Sequence, residues 1–376
     1  LRRSDRLEGA HVPFADELFG TAQLSTLVDV LRGAAPDASW DEVAAAGRAF
    51  DGMALGARAR TVADALVAQA PDIAAMTTLV TAALDDDRFD GWMIWSVTEA
   101  IATVGTVTGR PDDHDEGLRL LTLVTGRLTA EWGLRPFLVA DLDRTLAAAL
   151  AWTDHPDEHV RRLASEGTRL RLPWGRQIPA LNAAPHRTVP IIDRLHRDPS
   201  ETVRRSAANH LNDVSRADAD LAVATAAGWL DPSDAESGRT VRHALRTLVK
   251  QAHPGALALL GFGGAEGLVV DGPHLAADHL RIGDDLAFAA TVTNTGPTTV
   301  RVAIDFVVHF QKADGTLAPK VFKLTTADLD PGESREVAKR LSLQHRTTRR
   351  LHPGPHAVDL QVNGARSAPV RFTLDA

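Results

Sequence analysis

The chain of 376 residues contains no cysteine and no tyrosine. Without cysteine there is no disulfide framework and no thiolate-bound zinc or iron–sulfur site, a composition that suits a reducing compartment. No run of 18 apolar residues occurs, and LRRSDRLEGAHVPF at the start lacks the apolar stretch of a signal peptide. A cytoplasmic protein is therefore expected. Basic residues are also in deficit, 41 Lys and Arg against 49 Asp and Glu, for a net charge of −8. Taken over the whole molecule, that balance speaks against a polyanionic partner. Aromatic residues make up only 5%, yet seven of them are Trp, so their placement is informative. With 44% hydrophobic and 24% charged residues, global disorder is excluded and two to three folded domains are expected.

The distribution of charge points the other way from its total. Residues 1–154 carry 13 Lys and Arg against 24 Asp and Glu, residues 155–253 carry 15 against 12, and residues 254–376 carry 13 against 13. Within the middle stretch, 155–218 and 239–253 hold all 15 basic residues but only 8 acidic ones. Any polyanion site belongs there, because clustered charge sets the local potential.

Two composition regimes divide the chain. Up to about Leu260 apolar residues recur at helical spacing, as in Leu142, Leu146, Ala149 and Leu150. GFGGAEG at 261–267 breaks the pattern. Beyond it the period is two: Leu286, Phe288, Ala290, Val292; then Val302, Ile304, Phe306, Val308, Phe310; then Val358, Leu360, Val362. Turn strings such as NTGP, DPGE and HPGP punctuate these runs, which fits about seven strands of an immunoglobulin-like sandwich. The expected organisation is an all-α HEAT-like repeat domain over 1–260, a linker at 261–270 and an all-β domain at 271–376.

The helical part repeats itself. HPDEHVRRLASEG starts at His155, DPSETVRRSAANH at Asp198, and a weaker copy, SGRTVRHALRTLVK, follows. A period near 40 with Pro in the first helical turn is a HEAT-like signature, in which helix pairs stack as repeats. Val160, Leu163, Ala164 and Leu170 mark one buried stripe; Val203, Ala207, Leu211 and Val214 mark the next. Arg162, Glu166 and Arg169 fall on the opposite face of the first helix, Arg205, Asn209 and Asp213 on that of the second, and Arg242, Arg246 and Lys250 on that of the third. A shared face would form a basic ridge holding a few acidic groups, and the tandem pairs Arg161–Arg162 and Arg204–Arg205 suit phosphate oxygens. The plain alternative is a solvated face with i,i+4 ion pairs. Trp174, in the loop after Pro173, is either a functional aromatic or a plug beneath the loop, and Glu131 beside Trp132 is either functional or ordinary surface.

Other motifs are weaker. His155 and His159 have ligand spacing without a third ligand, and GFGG lacks the strand and Lys-Ser/Thr of a phosphate loop. No Gly-x-Ser-x-Gly arrangement is present. Neither metal nor cofactor is expected.

The strings HVPFADELFG, TAEWGLRPF, HVRRLASEGTRLRLPWG, VRRSAANHLNDVSRAD and TVRHALRTLVK…ALALLGFG, in this order and spacing, resemble the AlkC family of bacterial alkylpurine DNA glycosylases over residues 10–263. The immunoglobulin-like tail matches the members that carry one, and the chain departs from the pattern at Trp132–Gly133–Leu134. The resemblance implies base excision repair of cationic lesions, chiefly 3-methyladenine and also 3-methylcytosine, on double-stranded DNA gripped by the repeats without a deep base pocket. Carried onto this chain it implies catalytic roles for Glu131, Glu166, Trp174 and Asp213. The cations expected on DNA are Arg161, Arg162, Arg169, Arg204, Arg205, Arg242, Arg246 and Lys250. A monomer with no obligate protein partner is expected. The rival is a non-catalytic repeat scaffold for DNA or an acidic protein. It accounts for the basic ridge but not for carboxylates set within it, which would repel a polyanion. A nuclease would need a metal cluster that the sequence does not offer.

Overall fold

The structure is a computed structural model that describes residues 15–345 and 350–376. The first four residues of HVPFADELFG lie outside that range. The chain forms two compact units, one ending at Ala217 and the other spanning Asp218–Ala376.

The first unit is helical. Helices α1 (Ala15–Leu18), α2 (Thr21–Ala34), α3 (Asp41–Ala46), α4 (Leu55–Gln69) and α5 (Ile73–Ala83) precede α6 (Met93–Val107), which is buried on nearly every side. Then come α7 (Pro111–Val124), α8 (Leu134–Ala140) and α9 (Leu142–Trp152). Helices α10 (Glu158–Gly167), α11 (Pro179–Ala183), α12 (Val189–Leu195) and α13 (Glu201–Val214) complete it. Helix α6 packs on α4, α7 and α8. The Phe137 ring of α8 fits between Gly105 of α6 and Gly117 of α7, where an added methyl would come within 2.8 and 2.6 Å of a ring carbon. Only glycine permits that approach, and it fixes α8 directly after the Glu131–Trp132 turn.

The two repeat helices α10 and α13 pack against each other. Val160 and Leu163 of α10, and Val203, Ala207 and Leu211 of α13, are fully buried, as the periodicity requires. Asp157 caps α10 by accepting from the His159 N–H at 2.8 Å. The first arginine of each Arg-Arg pair turns back onto the loop before its helix. Arg161 Nη1 donates to the carbonyls of His155 and Pro156 at 2.9 and 2.8 Å, and Arg204 Nη1 to those of Asp198 and Pro199 at 2.7 and 2.9 Å. The repeat string is thus a folding device in which each arginine fastens the helix to its Pro-containing entry.

In the second unit, α14 (Ala219–Trp229), α15 (Ala235–Ala244), α16 (Arg246–Lys250) and α17 (Pro254–Leu259) lead into β1 (Leu268–Leu275), β2 (His279–Arg281), β3 (Asp285–Asn294) and β4 (Val300–Gln311). Then follow β5 (Leu317–Leu329), β6 (Ser334–Ser342), β7 (Gly354–Val362), β8 (Ala365–Arg366) and β9 (Val370–Asp375). One sheet has the order β1-β3-β6; the other has β2-β9-β7-β4-β5, with β8 on β7. All pairings are antiparallel except β2 with β9. The alternating residues Leu286, Phe288, Val292, Ile304, Phe306, Val308, Val358 and Leu360 meet in one core between the sheets. The fold is therefore a helical-repeat part followed by an immunoglobulin-like sandwich, as expected.

Two expectations need correction. Residues 261–270 are packed, not a free linker: Phe262 is buried beside Leu257 and Ala303, the Gly263 N–H donates to Arg301 O at 3.2 Å, and β1 begins at Leu268. Helices preceding the compositional break belong with the sandwich, because the β4–β7 surface turned away from the core carries Ala303, Val307 and Ala357, all buried. Gln361 Nε2 also donates to Lys250 O at 3.1 Å. Second, the third repeat is broken: α15 ends at Ala244 and α16 starts at Arg246. Arg242, Arg246 and Lys250 do not share one continuous helix.

Candidate active site

Three carboxylates from three segments of the first unit gather around two guanidiniums. Glu131 comes from the turn before α8, Glu166 from the last turn of α10 and Asp213 from the last turn of α13. Arg169 Nη1 meets Glu166 Oε1 at 2.5 Å, and Arg169 Nε meets Asp213 Oδ2 at 2.8 Å. Arg162 Nη2 lies 3.2 Å from Glu131 Oε2 and 3.9 Å from Glu166 Oε2. The Ser206 hydroxyl donates to Glu166 Oε2 at 2.6 Å, the Thr129 hydroxyl to Glu131 Oε2 at 2.7 Å, and the Arg171 N–H to Asp213 Oδ2 at 3.3 Å. Among the described residues, Glu131 Oε1 and Asp213 Oδ1 are left with no hydrogen-bond partner.

This arrangement differs from the solvated face of the plain alternative. Glu131, Glu166, Arg169 and Asp213 are each less than a tenth exposed. The polar face is a buried seam between the helices. Beneath it His210 Nδ1–H donates to Ser165 O at 2.9 Å, and Nε2 lies 3.0 Å from Thr188 Oγ1. Burial, reinforced by the charge of Arg169, pushes its pKa down to about 3, so it stays neutral. Burial works against the charge on Arg169, but the Asp213 and Glu166 carboxylates outweigh it and hold the guanidinium above its ordinary range.

Burial raises the pKa of Glu131 above the usual carboxylate range; the charge of Glu166 adds to the rise, and Arg162 and Thr129 oppose it. Burial likewise raises Asp213 against the pull of Arg169. A carboxyl whose folded pKa exceeds its unfolded one binds its proton more tightly when folded, so stability falls as pH rises between the two values. Glu131→Gln, which keeps the shape and an acceptor for Arg162, should therefore raise Tm at pH 7.5. The gain should shrink as pH is lowered through the raised pKa. Thermal melts of the two proteins from pH 4 to 8 check this, and a Tm lower than the parent's at pH 7.5 would count against a strained Glu131.

Trp174 sits in the loop after α10, 73% exposed, with φ +59°. Left-handed backbone costs a non-glycine residue about 1–2 kcal/mol, so the loop must hold it there. It is no plug beneath the loop. Its ring stacks on Trp132, centroids 6.5 Å apart and 18° from parallel, and Trp132 stacks on Trp95 at 4.5 Å and 25°. Trp132 Nε1–H donates to Pro173 O at 3.1 Å. Trp132 is the middle ring of this column.

The cations expected on DNA fall into different groups. Arg161 is spent on Asp198, at 2.6 and 3.1 Å, and on its loop carbonyls; Arg204 holds the equivalent loop; Arg169 is enclosed between two carboxylates. These three guanidiniums are held by groups of the protein itself. Arg162 is partly open and Arg205 is exposed beside Glu201. In the second unit Arg242 and Lys250 are exposed and Arg246 Nη1 donates to His243 O. Arg171 and Arg176, which flank Trp174 and are exposed, escaped sequence reasoning although the first stands in the same string and the second directly follows it. Arg135, Ser206 and Thr129 were also missed, since nothing in spacing marks a side chain that works on a distant backbone or carboxylate.

A family model described as the C-terminal Ig-like domain of the uncharacterised protein YhaZ matches residues 269–376. The uncharacterised protein YhaZ of Bacillus subtilis (strain 168) is 36% identical over 250 residues, covering 66% of this chain and 69% of that protein. The structure of Pseudomonas fluorescens alkylpurine DNA glycosylase AlkC, bound to DNA containing an abasic site analog, superposes with a TM-score of 0.88 at 29% identity. It covers 97% of this chain and 100% of that one.

Proposed function

Because this chain belongs to the family of YhaZ and AlkC, we propose that it is a DNA glycosylase that releases cationic N-alkylated bases, 3-methyladenine and 3-methylcytosine, from double-stranded DNA. The observation that carries this assignment is the cluster of Glu131, Glu166 and Asp213, with the exposed Trp174 stacked on Trp132, the residue after Glu131.

The chemistry follows from the charge on the substrate. A base alkylated at a ring nitrogen is already cationic, so when the C–N bond breaks its electron pair leaves with the base, which departs neutral. No general acid is needed, in contrast to the proton donor of a sugar hydrolase. What remains is an oxocarbenium-like sugar, which needs negative charge nearby and a water on its open face. One carboxylate about 4 Å away contributes roughly 4 kcal/mol at an effective dielectric near 20, on the order of a thousandfold in rate. The free oxygens of Glu131 and Asp213 are suited to face that cation and to take the proton the water gives up on attack. Glu166, fixed at both oxygens, supplies a static charge. Arg162 and Arg169 hold the carboxylates in place against their mutual repulsion.

Such a site needs no pocket for an extruded base. Selectivity comes from the lability of the charged lesion, and binding from cations on phosphates, with a steep salt dependence. Incubating the protein with methylated DNA and measuring free bases tests the assignment. Release of 3-methyladenine and 3-methylcytosine, with little 7-methylguanine, is expected. DNA binding without any released base would leave the scaffold alternative standing.

Trp174 offers its ring face to the cationic sugar, an interaction worth about 0.5–2 kcal/mol. Trp174→Ala should lower single-turnover excision by about tenfold with little change in affinity. An unchanged rate would remove the ring from the reaction.

A further inference from the structure

Arg135 is one of the largest fully buried side chains, and among the described residues no carboxylate pairs with it. It extends from α8, four residues after Glu131. Its Nη1 donates to Gly167 O at 3.0 Å and to Arg169 O at 2.8 Å, and its Nε donates to Arg176 O at 2.9 Å. Those carbonyls bracket the segment that carries Trp174: two sit where α10 ends and one lies beyond the loop. Nη2 is buried without a partner. Leaving it so is unfavourable, a penalty that an apolar side chain of similar volume would avoid. What a guanidinium adds in exchange is direction, since its planar fork fixes carbonyls on both sides of the loop relative to α8. The clamp has a second point, the Trp132 Nε1–H on Pro173 O. Both come from the α8 end, so Glu131 and Trp174 are placed by one element.

We propose that Arg135 is a positioning residue whose three carbonyl hydrogen bonds hold the 167–176 segment so that Trp174 stays in its left-handed, exposed position at the carboxylate cluster. It touches neither sugar nor base. Its kinetic consequences rest on the glycosylase assignment; its structural consequence does not. A lysine at this position carries the charge but, as a single ammonium, cannot span the carbonyls of Gly167, Arg169 and Arg176 together.

Two measurements test this, the first independent of activity. Stacked indoles couple their transitions, so the circular dichroism difference between the parent and Trp174→Phe isolates the Trp174–Trp132 stack. Arg135→Lys should lose most of that difference signal at a temperature where its helical signal is unchanged. The second is a double-mutant cycle on single-turnover excision. Arg135→Lys alone should cost about tenfold, and less than about twofold when Trp174 is already Ala, because a residue acting through another couples to it. A retained difference signal, or costs that multiply, would overturn the proposal. If Arg135→Lys does not fold, Arg135→Met, which keeps much of the volume and both indoles but donates to none of the three carbonyls, carries the same expectations in both measurements. If the parent releases no base, the dichroism decides alone, and the failure belongs to the glycosylase assignment.

Discussion

Glu166→Gln is expected to lower single-turnover release of 3-methyladenine by at least about a hundredfold while leaving affinity for abasic-analogue DNA within about threefold. The substitution is nearly isosteric, and Gln can still accept from Ser206 or Arg169 through its one carbonyl oxygen, so the α10–α13 seam is kept. What disappears is a full negative charge. In the ground state that charge faces a cationic base across the sugar; in the transition state the cation has moved onto the sugar itself, nearer the carboxylates. The loss therefore appears in the chemical step and hardly at all in binding. A polyanion scaffold predicts the opposite sign for affinity, since removing an acid from a DNA-facing surface strengthens binding. Measuring both constants on one DNA separates the two, and excision within about threefold of the parent would take Glu166 out of the mechanism.

How far the sequence reaches is visible in particular residues. Strict alternation in Val302, Ile304, Phe306 and Val308 reports a sheet with one face on a core, and those side chains are fully or almost fully buried. The helix periodicity of Val160–Leu163 and Val203–Ala207 is equally direct. The carboxylates were legible only through long intact strings: Glu131, Glu166 and Asp213 are brought together, but no spacing rule links position 131 to position 213. Burial is what periodicity does not report: Glu166, Arg169 and Asp213 fall on the polar face of their helices, and a buried polar seam has the same spacing as an exposed one. Arg161 and Arg204 show a related limit: a side chain that folds back on its own loop carbonyls looks, in one dimension, like a free cation. The division of the chain at 217/218 was hidden because helices packed on a sheet keep the composition of the helices before them.

Arg169→Met is expected to give the largest loss of stability of any single change at the site, about 3–5 kcal/mol, or a fall in Tm of roughly 10 °C. Arg169 is the common partner of Glu166 and Asp213, and all three are almost entirely removed from water. With a methionine there, two carboxylates remain buried without their shared cation. They can then stay charged at high cost or bind protons. Their folded pKa values must rise above the unfolded ones, so the penalty is fully present at high pH and disappears as pH falls through the raised values. Melts at pH 8 and pH 5 should show the gap between Arg169→Met and the parent narrowing on acidification. Adding Glu166→Gln and Asp213→Asn to Arg169→Met should restore much of the lost Tm at pH 8, since neutral amides have no charge to compensate. The same variant distinguishes an internal charge from a phosphate ligand. Removing a surface cation that meets a phosphate reduces the slope of log affinity against log salt by about one, and Arg205→Ala is expected to do so if that exposed cation meets the backbone. Arg169→Met should leave the slope unchanged at a temperature where it is folded. A salt slope reduced by about one together with an unaltered Tm would return Arg169 to the DNA surface and take apart the buried seam on which the three carboxylates depend.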